Sequence, residues 1–148
     1  MNVAVAADHA GFPLKDLAIR IAEEAGHRTE DLGTWSTDPV DYPDTARAAA
    51  EAVRDGRADR AVIVCGSGAG VAVAANKFDG IRAAVCHDTY TAHQCVEHDD
   101  VNVLCLGGRV VGVALAEEIV RAFLTAEFSG EERHLRRLEK IAAIERGS

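Results

Sequence analysis

Short runs of apolar, largely β-branched residues alternate along this chain with longer stretches in which apolar positions return every three or four residues. Residues 2–7, 61–64, 81–86 and 101–106 are runs of the first kind, and apolar runs of roughly four to eight residues bounded by turn formers read as buried strands. Residues 27–32 form a further run, shorter and more charged, which fits the edge of a sheet. Between these runs Leu14, Leu17, Ala18 and Ile21 carry a helical period over residues 12–25, with Pro13 suited to the first turn and Gly26 to the end. Further helices are predicted over 44–54, 71–77, 89–97, 112–128 and 131–145, and residues 33–43 form a loop that holds the only tryptophan, Trp35.

Strands that alternate with helices predict an α/β fold: an open, parallel, five-stranded sheet with helices on both faces, a Rossmann-like three-layer sandwich, plus a C-terminal helix. Ligands of such sheets bind beyond the carboxyl ends of the strands. The residues expected there are Asp8 and His9, Cys65, Cys86 and His87, and Gly107 to Arg109, all on one rim.

Residues 59–77 read D-R-A-V-I-V-C-G-S-G-A-G-V-A-V-A-A-N-K. Cys65 stands where the strand stops, and Gly66, Ser67, Gly68, Ala69 and Gly70 make an open loop before an alanine-rich helix. Backbone N–H groups and the helix dipole converge at such a point and can hold an anion. The same donors favour a thiolate, which is a better base or nucleophile than a thiol. Known phosphate loops do not fit. No Lys-Ser or Lys-Thr follows the glycines, and Val71 stands both where G-x-G-x-x-G needs glycine and where a Cys-x5-Arg loop needs arginine. A tight βα turn with a buried structural cysteine is the plain alternative.

At 148 residues the chain is expected to form one domain, residues 1–148, with an ample core. A formal net charge of −8 argues against nucleic-acid and membrane-surface partners, so an anionic ligand must meet a local basic cluster. The four cysteines, at 65, 86, 95 and 105, contain no C-x-x-C pair, and free thiols suit a reducing cytosol. No signal-peptide pattern opens the chain and no apolar run approaches a membrane span, so a cytoplasmic location is expected. His93, Cys95 and His98 are offset by two and five residues and share no helix face, so no metal site is expected.

Several polar residues have an ordinary reading beside a functional one. Asp8 and His9 can be no more than a turn with an Asx hydrogen bond; their place on the rim favours a ligand-facing role. Tyr42, in D-Y-P-D, can be core. His98 follows the fourth helix and precedes the fifth strand, so it is expected to reach the rim, where an imidazole can shuttle protons at physiological pH. Arg133 and Arg137 are four apart on one helix face, where a solvated surface with Glu partners is the usual outcome. Arg109 interrupts the apolar stretch L-C-L-G-G-R-V-V-G and is harder to explain as surface; guanidinium forks suit phosphate.

C-G-S-G-A-G followed by A-A-N-K resembles the signature loop of the ribose-5-phosphate isomerase B family, which includes galactose-6-phosphate isomerase subunits. A-A-D-H-A-G-F (6–12), D-L-G-T (31–34), D-Y-P-D (41–44), H-D-D-V-N-V-L-C-L-G-G-R-V-V-G (98–112) and R-H-L-R-R-L-E-K-I (133–141) match in order over essentially the whole chain. The resemblance implies an aldose–ketose isomerase of a small phosphorylated sugar, most simply ribose 5-phosphate, working through an enediolate without metal or organic cofactor. It implies Cys65 as the base, His98 for ring opening, and Ser67 with the N–H groups of residues 66–70 around the enediolate. Asp8, His9, Tyr42 and Asp99 would contact substrate. Arg109, Arg133 and Arg137 would clamp its phosphate, with residues 131–145 packed on the partner of a homodimer or dimer of dimers. Ser67 stands where the family commonly has threonine, and Asp99 where it usually has asparagine; an ionised aspartate accepts hydrogen bonds but cannot donate them. Isomerases of allose, galactose or tetrose phosphates remain open, as do a non-catalytic subunit and a nucleotide-binding module.

Overall fold

Alternation along the strands sorts the core into two layers. The computed structural model describes residues 1–147. Its sheet holds β1 (Asn2–Ala7), β2 (Arg28–Asp31), β3 (Arg60–Cys65), β4 (Ala83–Val85) and β5 (Val103–Gly107), all parallel, in the order β2-β1-β3-β5-β4. Val3, Val5, Val62, Val64, Leu104 and Leu106 face α1 (Phe12–Glu24), α4 (Thr89–Asp99) and α5 (Val113–Thr125). Ala4, Ala6, Ile63, Cys65, Val103 and Cys105 face α2 (Tyr42–Arg54) and α3 (Ala69–Ala75). Because side chains alternate with a period of two, the β1 and β3 runs that look uniformly apolar serve both layers. The second layer is rich in alanine, with Ala46, Ala49 and Ala50 of α2 fully buried.

The strand order places the site. From β1 the chain crosses to β2 on one side, and from β2 it returns past β1 to β3. The segment after β1 therefore leads into α1 on one face and the segment after β3 into α3 on the other. A crevice opens outside the carboxyl ends of two such neighbouring strands, here between Asp8 and Cys65.

Element limits differ from the sequence reading where side chains rather than periodicity decide. β4 is only three residues: just before it the Arg82 N–H donates to Asn102 Oδ1 at 2.8 Å, and the Arg82 guanidinium to the Asp100 carbonyl and carboxylate. α2 starts at Tyr42 and α3 at Ala69, each two residues early. α4 continues to Asp99 and stops at Asp100, whose φ of 47° ends it. The last helix, α6 (Glu132–Glu145), buries only His134 and packs against α4.

Candidate active site

At the β1/β3 crevice a cavity of about 420 Å3 is lined by Asp8, His9, Tyr42, Cys65, Gly66, Ser67, Gly70 and Arg109, with Ala10 and Val110. The loop after β1 is an Asx turn: Asp8 Oδ1 accepts the N–H groups of Ala10 and Gly11, each at 2.9 Å. The turn and a place on the cavity wall thus coexist, the turn fixing a buried carboxylate against the cavity. His9 Nδ1 accepts the Val40 N–H at 3.2 Å, so the neutral ring carries its proton on Nε2.

Cys65 is the last residue of β3 and is 4% exposed. The Gly68 N–H donates to its Sγ at 3.1 Å, and the Ala69 N–H donates to Ser67 Oγ at 3.2 Å. Two of the loop donors expected to face a ligand are thus turned inward, one of them onto the sulfur itself. Gly66, Ser67 and Gly70 are the loop residues that reach the cavity; Gly68 and Ala69 do not line it. Gly70 has a steric reason to be glycine: a Cβ there would meet the Tyr42 ring at 2.8 Å. The other thiols are apart from this cavity. Burial pushes Cys105 well above the usual thiol range, and Cys86 Sγ lies 3.8 Å from Cys95 Sγ.

Arg109 enters from the turn after β5. That turn is zipped onto the cysteine loop, with the Gly108 N–H on Cys65 O at 2.7 Å and the Arg109 N–H on Gly66 O at 3.1 Å. A guanidinium thereby faces the same space as the thiol and the Asp8 carboxylate.

His98 and Asp99 are not at this rim. A helix that follows a parallel strand runs back along it, and the 11 residues of α4 return the chain by about 16 Å. Asp100 meets Arg82 just before β4 begins, so the end of α4 lies at the amino edge of the sheet, opposite Cys65. Asp99 lines a second cavity of about 360 Å3 with Arg82, Ile141 and Ile144. Sequence proximity to β5 suggested the rim; helix direction decides otherwise. Arg133 and Arg137 are exposed on α6, and Arg133 Nε pairs with Glu131 at 2.9 Å. Within one chain their ordinary reading as solvated charges holds. His93 pairs with Glu97 at 3.1 Å.

Sequence reasoning missed the surroundings of His98. Gln94 Nε2 lies 2.8 Å from His98 Nδ1, and the buried His134 ring stacks on it. Gln94 had a legible signal, the i,i+4 spacing on one helix face. His134 had none, since it sits within a charged run.

The family model for Ribose/Galactose Isomerase matches residues 3–141. Ribose-5-phosphate isomerase B of Escherichia coli is 46% identical over 97% of this chain and 96% of its own length. D-erythrulose-4-phosphate isomerase 2 of Mycolicibacterium smegmatis is 42% identical over 98% and 97%. Among solved structures, Clostridium thermocellum ribose-5-phosphate isomerase B superposes with a TM-score of 0.96 at 45% identity, covering 99% of both chains. With the family model matched over residues 3–141 and sequence and fold alike over nearly the full length, the chain belongs to the ribose/galactose isomerase family.

Proposed function

We propose that this chain is an aldose–ketose isomerase that interconverts ribose 5-phosphate and ribulose 5-phosphate through an enediolate. The observation that carries this reading is the placement of Cys65 Sγ, with a backbone N–H on it, in one cavity with Arg109. Cys65 moves a proton between C2 and C1 of the open-chain sugar, as a thiolate base can. Ser67 and the loop N–H groups that reach the cavity meet the charge that develops on the enediolate oxygen. Arg109 holds the phosphate, and Asp8 and His9 bind hydroxyls. Because these donors meet the enediolate charge, the reading calls for no metal or organic cofactor.

His98 serves ring opening from a second chain. In its own chain it lies across the sheet from Cys65, while α6 exposes Leu135, Ile141 and Ile144. Exposed apolar side chains on a helix otherwise rich in charge suit a subunit contact. Each chain of a homodimer would then lend His98, Asp99, Arg133 and Arg137 to the other's cavity, and two such dimers can pair. Four free cysteines fit a reducing cytosol, and among the described residues no helix is long and apolar enough to cross a membrane.

Names of relatives keep a tetrose phosphate as the second reading, since two of them, at 42% and 40% identity, are D-erythrulose-4-phosphate isomerases. Asp99, where the family usually has asparagine, is the residue through which preference would shift. The test is an isomerase assay across tetrose, pentose and hexose phosphates, repeated with Cys65→Ala in heavy water. Wild type should act best on the pentose and place deuterium next to the carbonyl, and the variant should bind substrate without doing either. Near-normal turnover by the variant would make Cys65 structural.

A further inference from the structure

β4 ends at Val85, paired with Cys105, and stops two residues short of the end of β5. Gly107, the last residue of β5, therefore has no β4 carbonyl opposite it. Its N–H donates instead to His87 Nε2 at 3.0 Å. A side chain takes over where the backbone ladder stops.

Gly107 is where the fixing matters. Its carbonyl accepts the N–H groups of Val110 at 2.9 Å and Val111 at 3.1 Å, which closes the turn that carries Arg109. On its other side it pairs with Cys65 in the β3–β5 register. A Cβ at Gly107 would lie 2.9 Å from the carbonyl carbon and oxygen of Ser67, so the turn and the cysteine loop are in direct backbone contact. His87 itself does not line the Cys65 cavity.

We propose that His87 is a positioning residue for substrate phosphate: its imidazole holds the Gly107–Arg109 turn in register, and so sets where the Arg109 guanidinium stands. The accepting Nε2 requires the neutral ring with its proton on Nδ1. This inference rests on the reading of Arg109 as a phosphate ligand. Leucine at position 87 fills similar space but accepts nothing, whereas the Oε1 of glutamine can reach the point where Nε2 now stands.

The experiment is a set of steady-state kinetics on ribose 5-phosphate with His87→Leu, His87→Gln, Arg109→Ala and the double variant His87→Leu/Arg109→Ala. Loss of the bond should raise KM about five- to tenfold, the size set by one hydrogen bond, with kcat nearly unchanged. His87→Gln should return KM to near the wild-type value. The double variant should be no worse than Arg109→Ala, because the imidazole acts through the arginine. If His87→Leu does not fold, His87→Ala takes its place with the same expectations. A raised KM for Arg109→Ala beside an unaffected His87→Leu overturns the proposal alone. So does a glutamine variant as poor as leucine, or additive losses in the double variant. An unchanged KM for Arg109→Ala overturns both the phosphate reading and the proposal.

Discussion

His98 and His134 lie ring on ring, their centroids 4.3 Å apart and their planes 27° from parallel. Each ring is tied through Nδ1, His98 to Gln94 at 2.8 Å and His134 to Ser129 Oγ at 2.6 Å. With Nδ1 engaged, Nε2 is the nitrogen of His98 left for the proposed proton transfer. The stack also joins α4 to α6, and with them the residue proposed for ring opening to the helix of the proposed phosphate arginines.

Burial, reinforced by the neighbouring His98, holds the His134 imidazole below the usual histidine value. The unfolded chain takes this proton near about pH 6.5, while the folded chain takes it only at lower pH. Between those two values the unfolded state binds more protons, so stability falls as pH drops through that window and levels off below it. Thermal unfolding followed from about pH 8 to about pH 5 should show a steeper loss for wild type than for His134→Gln. Equal slopes would place the titration elsewhere.

Replacing His98 by asparagine should slow cyclic ribose 5-phosphate by about a hundredfold or more, the scale of a lost general acid–base group. A tetrose phosphate cannot close a furanose while carrying its phosphate, and should lose much less. Equal losses on both substrates would remove His98 from ring opening.

The proposed sharing of sites between chains is tested by mixing variants. Cys65→Ala homodimers should be dead and Arg133→Ala/Arg137→Ala homodimers crippled in KM. In a hybrid, one site inherits both lesions and the other neither, so activity should return on subunit exchange with a near wild-type KM. Exchange confirmed by mass without recovery would assign the arginines to their own chain.

Gly70→Ala would place a Cβ 2.8 Å from the Tyr42 ring, a contact that displaces the ring or the loop. Tyr42 is 45% exposed, so the ring can move outward at little cost to the core. The expected result is a several-fold higher KM with a melting temperature close to wild type. A large fall in melting temperature instead would mean that the loop, not the ring, gave way.

Much of the architecture was legible in the sequence because it follows from local rules. The apolar run ending at Cys65 is a strand by composition, and the residues after it can only be a tight loop. Strand–helix alternation then predicts a parallel sheet, and β2 is read as an edge from its charges. From that topology alone Asp8, Cys65 and Arg109 fall on one rim, as they do in the structure.

What the tertiary structure decided depends on direction and on partners distant in sequence. His98 is close to β5 along the chain, yet α4 carries it to the far edge of the sheet, because a helix between parallel strands must return to their starting edge. Lys15 carries a charge that belongs at the surface by composition. It is 1% exposed, because Asp31 and the Thr34 carbonyl, 16 and 19 residues on, take its ammonium at 2.9 and 2.7 Å. The hold of His87 on Gly107 spans 20 residues and exists only because β4 stops early. Local periodicity determines which segments form elements; the register between them, set by packing, determines which side chains meet.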